Sequence, residues 1–377
     1  MAEFPVQDGV SGIAVSAGKS TLAYKTVYEF QGGRNGPDGA YPGSGVVVDN
    51  GVLYGTTISG GASTWGTVYG VTPSGTEVML YNFHGTGDAS TPYAGLTLLN
   101  GVLYGTAIRG GAANDGAIFA ITPSGAEHIV YSCDASGSLP QGGLIVVNGK
   151  LYGTTLTGGN GYGTVFSLTT SGKEKTLYAF KGGSSDGVNP QASLTYVDGY
   201  LYGTTNQGGS ANDGTAFKMS LSGKEQFVYS FRGDPDGENP QSSLIDVNGV
   251  LYGTTLKGGN GYGTVYSLSE SGAQSIIYAF KAKLDGSAPI GALAGVNGIL
   301  YGTASRAGFN LYNGTIFSLT TSGQLTVLHS FGDFPDGTNP ESPLTLIDGR
   351  LYGTAVQGGD DQGCPGYGCG TIFHFKP

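Results

Sequence analysis

One pattern of apolar and polar positions recurs along almost the whole chain. In one copy, residues 193–197 are a short apolar run, residues 200–206 alternate and are rich in Tyr and Thr, and residues 215–219 and 224–231 form two further runs. Alternation with period two and enrichment in β-branched and aromatic residues predict β-strands. Asp198-Gly199 predicts a type I′ hairpin between the first two strands, so each copy predicts four consecutive antiparallel strands.

This unit occurs seven times. The string Leu-Tyr-Gly-Thr-Thr/Ala begins at Leu53, Leu103, Leu151, Leu201, Leu251, Leu300 and Leu351. Four antiparallel strands in about 50 residues are typical of a propeller blade, whereas solenoid repeats are shorter or helical. The sequence therefore predicts an all-β fold, a seven-bladed β-propeller with four antiparallel strands per blade.

The two ends of the chain each supply part of one blade. After the seventh string the chain provides one further strand, at residues 370–375, while residues 21–30 form an unpaired strand near the N-terminus. We expect the N-terminal strand to complete the last blade and close the ring, because this pairing hides two exposed strand edges. Residues 21–377 are then a single propeller domain, and residues 1–20 are a polar lead-in segment.

The loops predict two different faces of the ring. The Asn/Asp-Gly and Ser-Gly turns, which join strand one to two and strand three to four, are all minimal. The loops from strand two to three and from strand four to the next blade are longer, and they emerge together on the other face. We call this the long-loop face and expect specific binding there, because function concentrates in variable loops on a rigid scaffold.

Aromatic and charged residues on the long-loop face are the candidate ligand-binding residues. Aromatic rings at loop tips beside Gly, Asn and Asp are typical of carbohydrate platforms, although each ring could instead cover its neighbouring blade. Charged residues at the start of the inter-blade loops vary from blade to blade, which fits one asymmetric site or surface drift equally well. The candidates are Trp65, His84, Tyr162, Lys181, Arg232, Tyr262, Tyr312 and Tyr367.

Most inter-blade loops contain the motif Asp-Gly-x-x-Pro. The simpler interpretation is an Asx-turn, in which the Asp caps loop amides and the Pro fixes the entry to the inner strand. The alternative is a repeated oxygen-ligand site for Ca²⁺ or sugar hydroxyls, and only Asp234 and Asp236 approach the spacing of a calcium loop. The residue after each Pro varies, and we expect these residues around the mouth of the central channel.

Composition and charge narrow the functional classes. Glycine supplies 71 of 377 residues, which argues against helices, and the net charge of −10 disfavours nucleic acid and anionic membranes as partners. No apolar run is long enough to insert into a membrane. The four histidines give no metal spacing, and only His84 is well placed for a polysaccharide lyase or hydrolase. Such an enzyme, or a self-assembling structural protein, remains an alternative to a binding module.

The cysteines point to an oxidising compartment. Cys364 and Cys369 lie in one loop that is longer than its counterparts, and they predict a local disulfide. Cys133 stands where other copies have Phe and is expected to fill the core. Residues 1–5 do not begin a signal peptide, so either the protein is not secreted or the chain is a mature form.

The tandem pattern resembles the glycine-rich GloVer-type repeat proteins of bacteria, a choice-of-anchor family. The resemblance rests on Leu-Tyr-Gly-Thr-Thr, Gly-Gly, Gly-Thr-Val-Phe/Tyr, Ser-Gly, Leu-Tyr-x-Phe and Asp-Gly-x-Asn-Pro, and it covers residues 21–377. It implies an exported bacterial protein and supplies no catalytic residues. We therefore expect an extracellular or cell-surface binding module for a glycan or a protein surface, with no cofactor apart from the calcium considered above.

Overall fold

A computed structural model describes residues 23–32, 38–85, 87–308, 313–332, 335–359 and 363–377. Every regular element among these residues is a β-strand, and none of them belongs to a helix that could cross a membrane. Seven four-stranded antiparallel sheets form the blades of a β-propeller. The fold predicted from the repeats is therefore confirmed.

Each blade has the same order of strands, from the inner strand at the axis to the outer strand at the rim. The inner strands are Val47–Asp49, Thr97–Leu99, Ile145–Val147, Thr195–Val197, Ile245–Val247, Ala294–Val296 and Thr345–Ile347. The second strands are Val52–Thr57, Val102–Ala107, Lys150–Thr155, Tyr200–Thr205, Val250–Thr255, Ile299–Ala304 and Arg350–Ala355. The third strands are Thr67–Val71, Ala117–Ile121, Thr164–Leu168, Thr215–Ser220, Thr264–Leu268, Thr315–Thr320 and Thr371–Phe375. The outer strands are Glu77–Asn82, Glu127–Ser132, Glu174–Ala179, Glu225–Ser230, Gln274–Ala279, Leu325–Ser330 and Lys25–Glu29.

Ten more strands of two residues each form five small ladders on the long-loop face, which the sequence did not predict. Each ladder joins an inter-blade loop to the loop that follows the second strand of the next blade. The pairs are Gly39–Ala40 with Ser59–Gly60, Ala89–Ser90 with Arg109–Gly110, Gly187–Val188 with Gln207–Gly208, Gly237–Glu238 with Lys257–Gly258, and Gly337–Thr338 with Gln357–Gly358.

The ring closes as predicted. The N-terminal strand Lys25–Glu29 pairs antiparallel with Thr371–Phe375 and completes the seventh blade. Across the seam to the first blade, the hydroxyl of Thr354 donates to the carbonyl of Ser44 at 2.9 Å. The predicted lead-in, residues 1–20, and the first two residues of the predicted N-terminal strand lie outside the described residues.

The Leu-Tyr-Gly-Thr-Thr string is explained by packing inside and between blades. In the fifth blade Leu251 is buried, and Gly253 faces Tyr266 on the third strand, where a Cβ would lie 2.6 Å from the tyrosine oxygen. The hydroxyls of Thr255 and Thr264 are 2.7 Å apart and join the second strand to the third. Glycine is thus required beneath the ring, and the threonine pair satisfies buried polar groups.

The hydrophobic core consists of seven clusters, one between each pair of neighbouring blades. Six of these junctions contain an edge-to-face aromatic pair, such as Phe231 and Tyr266 with ring centroids 5.0 Å apart. At the junction of the second and third blades, the buried Cys133 occupies the position of the phenylalanine. The apolar contacts therefore hold each blade to its neighbours and make the ring a rigid support for its loops.

Candidate ligand-binding face

One backbone hydrogen bond fixes the tip of every loop between a second and a third strand. In each of these loops a glycine immediately precedes the third strand. The residue before this glycine accepts a hydrogen bond, through its backbone carbonyl, from the amide of the residue that precedes the inter-blade proline. The accepting residues are Trp65, Asp115, Tyr162, Asp213, Tyr262, Asn313 and Cys369. The first six blades therefore alternate an aromatic residue with Asp or Asn at one structural position of the long-loop face.

The donor of that hydrogen bond also ties each tip to the next blade. Asn189, with φ of +57°, donates its amide to Tyr162 at 2.9 Å, and its carbonyl accepts the amide of Asn206 in the following blade at 3.0 Å. The adjacent Pro190 packs against Gly163, where a Cβ would lie 2.5 Å from the proline Cδ. All seven junctions share this arrangement, so the loop tips are held before any ligand arrives.

The aromatic candidates are exposed and partly supported from below. Trp65, Tyr162, Tyr262 and Tyr367 are 46%, 41%, 43% and 64% exposed. A Cβ on Gly182 would lie 3.2 Å from three atoms of the Tyr162 ring, so the ring lies over this glycine of the inter-blade loop, and Trp65 lies over Gly85 in the same way. Each of these two rings thus covers a neighbouring loop and leaves its remaining surface to solvent. The fifth aromatic candidate, Tyr312, lies outside the described residues.

The loop that carries Tyr367 is closed by a disulfide between Cys364 and Cys369, as predicted. Both cysteines are buried in the core cluster between the seventh and first blades. A cavity of about 290 Å³ opens between this loop and the loop of the first blade. Its lining residues are Ala40, Tyr41, Ser59, Gly60, Thr64, Gly363, Cys364 and Pro365.

The charged candidates occupy one equivalent position in three inter-blade loops. His84, Lys181 and Arg232 each directly follow the last core residue of an outer strand, and all three side chains are exposed. Their backbone amides donate to Asp88, Asp186 and Asp236 at 2.8, 2.7 and 3.2 Å. The ring Nδ1 of His84 also lies 3.3 Å from the Asp88 carboxylate. These residues are therefore distributed around the rim, one to a loop, rather than converging on one point.

The inter-blade aspartates hold the scaffold together. Asp236 accepts the Tyr229 hydroxyl at 2.8 Å and the Gly237 amide at 2.8 Å, while Asp234 accepts the Asn260 amide at 2.8 Å. These bonds match the Asx-turn interpretation of the motif. The described residues contain no group of three or more His, Cys, Asp or Glu side chains arranged to hold a metal ion. Calcium binding by Asp234 and Asp236 stays a prediction.

Sequence reasoning missed a network of partly buried carboxyls between the outer strands. The Tyr178 hydroxyl donates to Asp186 at 2.9 Å and also lies beside Glu225, the first outer-strand residue of the next blade. Burial, with a contribution from Asp186, raises the pKa of Glu225 to about 7. Glu77 and Glu127 occupy the same position at two other junctions, and burial raises the pKa of each to about 7. The available signal was the recurrence of Glu at the start of four consecutive outer strands.

Three residues from different blades influence one another electrostatically. Burial raises the pKa of the Glu341 carboxyl in the seventh blade, and the charge of Arg306 opposes this rise. Burial and the charge of Glu341 raise the pKa of Tyr93 in the second blade. Gly43, at the equivalent position of the first blade, has no side chain to separate them. The location of these residues around the mouth of the channel stays a prediction.

Solved structures with a similar fold are distant in sequence. A putative 6-phosphogluconolactonase from Bacteroides uniformis matches with a TM-score of 0.52 and 17% identity over 81% of this chain and 88% of that one. A puromycin-hydrolyzing peptidase of Mycobacterium tuberculosis matches with a TM-score of 0.54 and 9% identity. That match covers 85% of this chain but 53% of the peptidase, about half its length. At such low identity these similarities show the fold alone.

Comparison by sequence shows the family of the chain. No curated protein sequence matches the chain. A family model described as the Gloeobacter/Verrucomicrobia repeat matches residues 8–217 and 189–377. Because these two overlapping matches span nearly the whole length, the chain belongs to the Gloeobacter/Verrucomicrobia repeat family.

Proposed function

We propose that the protein is an extracellular binding module whose long-loop face holds carbohydrate. The observation that carries this proposal is the set of exposed aromatic residues at fixed loop tips, namely Trp65, Tyr162, Tyr262 and Tyr367. An aromatic ring stacks on the apolar face of a sugar, and neighbouring carboxylates and amides bond its hydroxyls. The Asp and Asn residues that alternate with the aromatics supply such groups.

The rigidity of the loop tips favours binding of an extended polymer. Each tip is held by the backbone and proline contacts described above, so little conformational entropy remains to be lost when a ligand is bound. Weak contacts at several blades combine when one chain of sugar units spans them, because the second contact is then intramolecular. The disulfide of the seventh blade supports an extracellular location, since such bonds persist in oxidising compartments.

Trp65 provides a direct assay, because it is the only tryptophan in the sequence. Titration with neutral and acidic oligosaccharides, followed by tryptophan fluorescence and calorimetry, should give saturable binding. We expect Tyr162→Ala to weaken binding of a neutral oligosaccharide about tenfold, the loss of roughly one stacking contact. Tyr200→Ala is the matched control, because Tyr200 is also 41% exposed but follows a short turn on the opposite face.

Two results would contradict the proposal: an absence of binding to every glycan, or equal weakening by Tyr162→Ala and Tyr200→Ala. The same titrations, monitored for released sugar products in the unmodified protein and in His84→Ala, test the lyase or hydrolase alternative. Light scattering over a range of protein concentrations tests self-assembly.

A further inference from the structure

We infer that the loop tip at Tyr262 is a subsite for an anionic sugar unit, such as a uronate or a sulfated hexose. This inference rests on the proposed carbohydrate-binding function and specifies its ligand class. It follows from the position of two exposed lysines, Lys281 and Lys283, relative to the Tyr262 ring.

The identical tips of the third and fifth blades allow the two sites to be compared. Residues 160–163 and 260–263 have the same sequence, and Tyr262 accepts the amide of Ala288 at 2.9 Å just as Tyr162 accepts that of Asn189. In the third blade Gly182 lies beneath the Tyr162 ring. Ala282 takes the place of Gly182 in the fifth blade, with φ of +55° against +67°. The backbone therefore follows a similar path beneath both rings.

Lys281 and Lys283 flank Ala282 in the chain, and Ala282 is the counterpart of the glycine beneath the Tyr162 ring. The Phe280 amide donates to the Gly263 carbonyl at 3.0 Å, which holds the start of this loop against the tip. At the other end of the segment, the Lys283 carbonyl accepts the Gly308 amide at 2.9 Å. Both lysine side chains are thus attached to anchored backbone next to an exposed ring.

The two ammonium groups have no carboxylate to neutralise them in the described part of the chain, where neither lysine forms a salt bridge. The only acidic residue of their own loop, Asp285, is buried and accepts the Tyr278 hydroxyl at 2.8 Å and the Lys281 amide at 3.0 Å. On a protein with a net charge of −10, a pair of free cations beside a platform is a local exception.

The tips at Tyr162 and Trp65 lack this combination. Beside Tyr162 the corresponding loop carries Lys181 followed by two glycines and two serines, so it offers one cation. Beside Trp65 the corresponding residue is His84, which contacts the Asp88 carboxylate. Lysine is a flexible point charge that accepts carboxylate and sulfate in several geometries. A sugar stacked on Tyr262 would therefore gain from an acidic substituent, and a sugar on Tyr162 would gain less.

The test uses the full chain with trigalacturonate as the anionic probe, cellotriose as the neutral probe and a short oligothymidylate as a polyanion without a sugar acid. We expect trigalacturonate to bind at least tenfold more tightly than cellotriose in 50 mM NaCl and to lose most of this advantage in 500 mM NaCl. Lys281→Gln with Lys283→Gln should remove the advantage. Lys173→Gln with Lys175→Gln, two exposed lysines elsewhere, should preserve it.

The tyrosine variants give a second readout. Tyr262→Ala should weaken trigalacturonate binding about tenfold and Tyr162→Ala clearly less, whereas both should weaken cellotriose binding alike. Binding of both sugars without any effect of the Lys281 and Lys283 changes would overturn this inference and leave the proposed function standing. Equal binding of the oligothymidylate would also overturn it. An absence of sugar binding would refute both.

Discussion

The half-buried glutamates between blades should make the ring less stable as the pH rises. Glu77 and Glu127 each have a carboxyl oxygen that is shielded from solvent without a hydrogen-bond partner, and Glu225 lies beside Tyr178 and Asp186. At the equivalent position of another junction the chain carries the neutral Gln274. Replacing the three glutamates by glutamine is therefore a conservative perturbation, because the chain already carries glutamine at this position of another junction.

The direction of this pH dependence follows from the number of protons that the folded and unfolded states bind. Burial, and secondly the charges of nearby aspartates, raise the pKa of Glu77, Glu127 and Glu225 from 4.5 to about 7. Between these values the folded state binds more protons than the unfolded state, so the free energy of unfolding falls as the pH rises. The contribution is fully present below pH 4.5 and is lost as the pH passes through 7.

The size of the effect is limited by exposure. A pKa rise of this size would change the free energy of unfolding by about 3 kcal/mol for each glutamate if the surroundings did not relax. Because the three side chains are only half-buried, solvent screening reduces this to about 1 kcal/mol each, or about 3 kcal/mol together. This is a large share of the stability of an ordinary domain, so it should be measurable.

Urea unfolding at pH 5 and pH 8 is the appropriate assay. The unmodified protein should lose about 3 kcal/mol more between these two pH values than the Glu77→Gln, Glu127→Gln, Glu225→Gln variant. Glu270→Gln, in an exposed turn, is the matched control and should leave the pH dependence unchanged. Parallel pH profiles for the unmodified protein and the triple variant would refute the reasoning.

Three further predictions concern the scaffold. Gly263→Ala should cost about 3 kcal/mol of unfolding free energy in thermal melts, because its φ is +97° and a Cβ would lie 2.5 Å from a proline Cδ. Gly261→Ala, where a Cβ meets nothing within 4 Å, should cost about 1 kcal/mol, and equal costs for the two variants would contradict the clash. Replacing Cys364 and Cys369 by serine should cost about 2 kcal/mol in urea unfolding, from the small closed loop, and an unchanged midpoint would count against this. Burial raises the pKa of the Cys133 thiol to about 12, so it should react with a thiol reagent at pH 8 only after unfolding, and rapid native labelling would argue otherwise.

The fold could be predicted from the sequence because the same pattern of strands and turns recurs seven times along the chain. In the fourth blade the predicted second strand at residues 200–206 compares with Tyr200–Thr205, and the predicted fourth strand at residues 224–231 compares with Glu225–Ser230. Asp198 has φ of +47°, as the type I′ hairpin requires. Turn chemistry and strand alternation act within a few residues, so a single sequence contains them.

Contacts between blades could not be predicted in the same way. The partner of Glu225 is Tyr178, 47 residues earlier, and nothing local distinguishes this glutamate from an exposed one at the start of a strand. The two-residue ladders were missed for a related reason, since each pairs an inter-blade loop with a loop about 20 residues later. The exposure of an aromatic side chain could be predicted where a loop tip itself carries the ring, as at Tyr162.

Some residues differ from their counterparts in the other repeats, and buried and exposed differences have different physical explanations. At the junction of the second and third blades, Cys133 replaces a phenylalanine, the loop aspartate is displaced, and Ser136 takes its place beside the Tyr131 hydroxyl. The cavity beside the thiol has a volume of only about 10 Å³, so these buried changes compensate one another. Lys283 differs from its counterparts without any change in the buried bonds of its loop, where Asp285 still receives the tyrosine hydroxyl. Packing does not account for that lysine, and the anionic subsite inferred at Tyr262 gives it a role that the lysine and tyrosine variants test.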